Sequence, residues 1–89
     1  MASSPMQLNM LFHEDVTDLN DAIYTGFYTY RSDMLHSASA QGLISGNGNM
    51  LVIKGSMFTH QIVFIGNTYI VMRRSDGVSW NAWTKVDLK

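Results

Sequence analysis

The chain has 89 residues, 46% of them hydrophobic and 15% charged, with a formal net charge of −1 and no cysteine. That length accommodates one domain, and the lack of cysteine excludes disulfides, thiolate metal sites and a cysteine nucleophile. The near-neutral balance excludes the clustered Lys and Arg that bind nucleic acid or anionic membrane, and no run reaches the roughly 20 apolar residues of a membrane-spanning helix.

Residues 1–15 are read as an N-terminal arm or linker, and 16–89 as a β-rich domain. The start, Met1-Ala2-Ser3-Ser4-Pro5, has neither the basic residues nor the apolar stretch of a signal peptide. Met6, Leu8, Met10 and Phe12 alternate with Gln7 and Asn9, the pattern of a short strand or of an arm packed on something. In the next segment Thr17 or Asp18 caps a helix, with acids at its positive end. Val16, Leu19, Ala22 and Ile23 fall on one helical face. Gly26 supplies the stop, so the spacing predicts a short helix of one or two turns.

From Phe27 the signals become those of strands. Phe27-Tyr28-Thr29-Tyr30 is aromatic and β-branched, a composition that suits a pleated surface. Residues 31–49, rich in Ser, Gly and Asn, read as a long surface loop. Met50-Leu51-Val52-Ile53, Phe58 to Ile65, Thr68 to Arg74 and Ala82 to Val86 read as four strands of an antiparallel meander. Gly66-Asn67 and Asp76-Gly77 supply the tight turns. Ile62-Val63-Phe64-Ile65 and Tyr69-Ile70-Val71-Met72 are apolar at both parities. Both faces of the sheet are therefore expected to be covered, by the short helix and the long loop, with a partner subunit supplying the rest. The low charge points the same way, since ordinary soluble domains are about 25% charged.

Catalytic constellations are missing, and the chain is read as a non-enzyme that needs no cofactor and no metal. No Ser lies in a Gly-x-Ser-x-Gly elbow, and Gly46-x-Gly48 lacks the third glycine and the helix of a phosphate loop. His13, His36 and His60 have no metal-ligand spacing; His60 shares the parity of Ile62 and Phe64 and is expected to face inward. Glu14, Asp15, Asp18 and Asp21 suit a helix start rather than acid–base work. The aromatic residues are the one candidate binding surface. Tyr28 and Trp80 offer faces on which a sugar can stack, and Asn67, Arg73 and Arg74 offer hydrogen-bond donors.

The order of motifs resembles the pyocin-knob domain of phage tail fibres and R-type pyocin fibres. Asp18-Leu19-Asn20 is followed by Gly26-Phe27-Tyr28, a Gly/Asn-rich loop, Met50-Leu51-Val52-Ile53 and a strand carrying Gln61. Asn67-Thr68-Tyr69-Ile70-Val71-Met72-Arg73-Arg74 is similar to the family's Tyr–Arg strand, and Trp80-Asn81-Ala82-Trp83 to its closing Trp-x-x-Trp. The likeness spans about residues 16–88. In the central loop the chain departs from it: the proline often seen there is missing, and Met34-Leu35-His36 stands nearby.

The resemblance implies a mainly β (small α+β) fold, with a short N-terminal helix followed by an antiparallel β-meander knob. It further implies a homotrimer located in the virion tail and engaged in reaching the host surface. No catalytic or ligand motif is carried over. Leu19, Ile23, Gly26, Phe27, Val52, Ile62, Phe64, Tyr69, Val71 and Trp83 are the expected core. Trp80 and Trp83 have opposite strand parity, so burying both requires a bulge at Asn81-Ala82. Two other readings stay open: a module binding bacterial surface glycan, or an accessory domain of a fibre-borne depolymerase.

Overall fold

Five segments carry the alternation of exposed and buried side chains that a pleated strand requires, or lie beside one that does. In the computed structural model, which describes residues 12–88, they form one antiparallel sheet. The strands are β1 (Gly26–Tyr30), β2 (Gly48–Lys54), β3 (Thr59–Ile65), β4 (Tyr69–Ser75) and β5 (Thr84–Asp87). Their spatial order, β1-β2-β3-β4-β5, is the sequence order. The β3–β4 turn is one residue longer than expected, because Ile65 pairs with Tyr69 and leaves Gly66, Asn67 and Thr68 between them. The alternating segment 6–11 lies outside the described residues. Phe12 and His13 run beside the free edge of β1, through a parallel bridge from Phe12 to Phe27 and a bond from His13 N to Phe27 O of 2.9 Å.

No α-helix precedes the sheet among the described residues; Leu19–Asp21 make a single 3₁₀ turn. Asp18 caps that turn, accepting a bond from Asn20 N at 2.9 Å. The helix does not grow because neighbouring backbone groups bond elsewhere. Thr17 O accepts from Leu35 N and Leu19 N donates to Leu35 O. The carbonyls of Leu19 and Ala22 accept from the Gln61 side chain. Tertiary partners thus override the helical spacing.

The inner face of the sheet carries Tyr28 and Tyr30 from β1, Met50 and Val52 from β2, Gln61 and Val63 from β3, and Val71 and Arg73 from β4, all buried. Its cover is the 16–22 segment, which contributes Leu19 and Ala22, and the 31–47 loop, which contributes Met34 and Ala38. A stretch that reads as surface loop is therefore the second layer of the core.

The outer face is different. Strand pairing places Phe27, Leu51, Ile62, Met72 and Thr84 in one row, and Thr29, Asn49, Phe64, Ile70 and Val86 in the next. Three members of the expected core lie here. Phe27 is 36% exposed, Phe64 is 45% exposed, and Ile62 is only half-buried. His60 is exposed on this side as well, between Ile53 and Arg74. Two apolar parities give hydropathy no means of choosing a side. Gln61 and Arg73 decide the register, because only the inner side offers them hydrogen-bond partners. Ile23, expected to plug the sheet, is likewise only half-buried, and so is Tyr69, which packs against the edge of the core.

Two positions within the strands need glycine. Gly26 enters β1 at φ 144°, a region that side-chain-bearing residues rarely adopt. At Gly48 a Cβ would lie 2.1 Å from the Phe64 carbonyl oxygen, so β2 approaches β3 more closely than any other residue allows.

Candidate functional site

Arg73 is the one buried charged residue among the described residues and the centre of a polar network. Its Nε donates to Gln61 Oε1 at 2.7 Å, and its Nη2 to Asn20 Oδ1 at 3.0 Å. Gln61 Nε2 in turn donates to Leu19 O at 2.6 Å and to Ala22 O at 3.0 Å. The guanidinium carbon lies 4.2 Å from the ring centre of Trp80 and 4.7 Å from that of Trp83. Such stacking offsets part of the cost of taking a cation out of water. Burial pulls the Arg73 pKa down to about 10, partly opposed by the charge of Asp18. Arg73 stays a cation at neutral pH.

The Trp80–Trp83 segment reaches this position by leaving the sheet. Ser75 bridges to Trp80, and regular pairing resumes only at Thr84. In between, Trp83 N donates to Gln41 Oε1 at 2.9 Å and Trp83 O accepts from Gln41 Nε2 at 3.2 Å. The loop side chain thus takes the place of a strand partner, and β5 begins two residues later than composition suggests. The break lets two residues of opposite parity stack on one arginine.

Beside this stack lies an open cleft of about 460 Å³, lined by His36, Gln41, Arg73, Trp80, Asn81 and Trp83 among others. His36 is the one non-glycine at positive φ, 60°, among the described residues. Histidine is among the residues that tolerate this region, yet such positions are uncommon and cluster at functional sites. His36 Nδ1 pairs with Asp18 Oδ1 at 2.8 Å. Burial alone would push the Asp18 carboxyl up. The bonds from Asn20 N and His36, with the charges of His36 and Arg73, outweigh that and hold it below its ordinary value of 3.8.

The five candidate sugar contacts do not form one site. Arg73 and Trp80 come together. Tyr28 is buried on β1, three strands away from β4, and its hydroxyl donates to Tyr24 O at 3.1 Å; burial pushes its pKa up. Arg74 points to the outer face, over the Phe58 ring at 4.3 Å. Asn67 is exposed in the β3–β4 turn. Alternation along β4 separates Arg73 from Arg74, and this was readable from the sequence. Gln41 and His36 carried no signal: each gains its role from a contact about 40 residues away or from a loop conformation.

The open outer face is the second feature with functional content. Its two central rows hold no charged residue, and Phe12 stacks on Phe27 at one end, with ring centres 5.4 Å apart. No group of three metal-binding side chains lies together among the described residues. Among them also, no helix is long and apolar enough to cross a membrane. Compared with known proteins, the chain matches no family model, no curated protein and no solved structure.

Proposed function

We propose that this chain is the non-catalytic knob domain of a phage tail fibre or related appendage, assembled as a homotrimer in the virion. Its role is structural and adhesive, toward the host surface. The observation that carries the reading is the outer sheet face, on which Phe27, Ile53, Phe64 and Val86 are 36%, 45%, 45% and 39% exposed. Contiguous apolar surface of this kind marks an interface in a soluble protein. The order of motifs that resembles the pyocin-knob domain supports the fibre setting. Several of those residues (Asn20, Gln61, Arg73, Trp80 and Trp83) converge in one network, which accounts for their spacing.

The size of the face bears on the assembly. Five strands about 4.8 Å apart and three rows of outward side chains span roughly 24 by 20 Å, or about 480 Å². Around a threefold axis each copy divides this face between two neighbours, so each pairwise contact buries roughly 480 Å², below the roughly 1,000 Å² of a specific, stable interface. Assembly of the isolated domain is therefore expected to depend on concentration. Light scattering across a dilution series tests this: the trimer mass is expected at high concentration, giving way to smaller species on dilution. A single monomeric mass throughout would overturn the reading.

A further inference from the structure

The Arg73 cleft has the chemistry of a ligand site, and we propose that it binds a saccharide unit bearing one carboxylate, a sugar acid of the uronate type. No carboxylate is hydrogen-bonded to Arg73. Its Nε and Nη2 are engaged by neutral amide oxygens, and Nη1 has no acceptor among the described residues. A guanidinium with unfilled donors in a partly dry site favours the planar, two-oxygen geometry of a carboxylate. The nearest acid, Asp18, already accepts from Asn20 N and His36 Nδ1 and does not line the cleft.

The rest of the lining selects the body of the ligand. Trp83 Nε1 donates to His36 O at 2.9 Å. Trp80 Nε1 and the Asn81 amide, which line the same cleft, have no protein partner among the described residues. His36 uses Nδ1 and leaves Nε2. These groups suit hydroxyls. With Arg73 as the one permanent cation and no acid in the lining, the cleft matches a single negative charge. It matches neither a phosphate, which calls for more cations, nor a zwitterion. Its volume of about 460 Å³ lies within the roughly 300–1,000 Å³ of small-molecule sites.

Both tryptophans of the chain line this cleft, so tryptophan fluorescence reports on it. The intact protein is titrated with sodium glucuronate, and in parallel with glucose and with sodium acetate at matched ionic strength. The expected result is a saturable change with glucuronate, at least about tenfold weaker with either half of its chemistry, a difference of about 1.4 kcal/mol. Two variants should stay folded by circular dichroism. His36→Gly relieves the positive φ, and Asn81→Ala lies at an exposed position; each is expected to weaken glucuronate binding several-fold. No response to glucuronate up to about 100 mM, a hundred times a millimolar Kd, overturns the proposal. So does an equal response to glucose, or wild-type affinity in both variants. The assembly reading is tested separately: a trimer with a silent cleft fails this inference only, and a monomer that binds glucuronate fails only the assembly.

Discussion

Gln61 is a polar residue in the middle of the sheet, and it is fully buried. It links the covering segment to the sheet by accepting from Arg73 and donating to two carbonyls. Replacing it with methionine keeps the volume but leaves a buried guanidinium nitrogen and the Ala22 carbonyl unpaired, while Leu19 O keeps only its bond from Ala22 N. The expected cost is about 3 kcal/mol, read as a lower urea midpoint; a change within about 0.5 kcal/mol would assign the network no stabilising role. Asp18 gives a pH signature. Its folded pKa is held below the ordinary 3.8, so its contribution is present above that value and lost as pH falls through the lowered one. Asp18→Asn should therefore flatten the fall of Tm between neutral and acid pH. A wild-type pH profile in the variant would show that the His36 and Asn20 bonds add nothing.

At the scale of elements, the strands were legible in the sequence, and their cover by the leading segment and the long loop only in outline. Aromatic and β-branched runs marked five strands, and turn residues marked the connections between β3, β4 and β5, because these signals are local. The 3₁₀ turn was not legible: its backbone groups bond to Leu35 and Gln61, partners far along the chain. Nor was the side that β3 turns inward, since Ile62 and Phe64 are as apolar as Val63, and the deciding partners of Gln61 lie on other elements. The candidate site was legible in part. Arg73 and Trp80 meet, but Gln41, which fixes the Trp83 backbone, has no local signature. Removing it in Gln41→Ala should release the 31–47 loop from the Trp83 segment. About 1–2 kcal/mol is expected for two partly exposed hydrogen bonds, lowering Tm by about 4–8 °C per kcal/mol in a domain of this size. An unchanged Tm would mean that the apolar contacts of Met34 and Ala38 hold the loop unaided.

For the whole molecule, the proposed assembly makes a sheet with one closed and one open apolar face divide stability between folding and association. A charge placed at the centre of the outer face should separate the two. Phe64→Lys, at a position already 45% exposed, is expected to keep the circular dichroism spectrum of the fold and to run as a monomer at every concentration. A trimer mass in this variant would move the interface elsewhere. The sheet edges set a further condition. β5 is four residues long, exposed throughout, and carries Lys85 and Asp87, while Phe12 and His13 lie along the outside of β1. Among the described residues neither rim presents a long bare strand for a neighbouring copy to extend. In the proposed assembly copies therefore meet through faces rather than rims, and a face can be shared only among a fixed number of neighbours. Growth of that proposed assembly stops once the number is reached, so the same rims that finish the sheet would favour a closed particle over an endless ribbon.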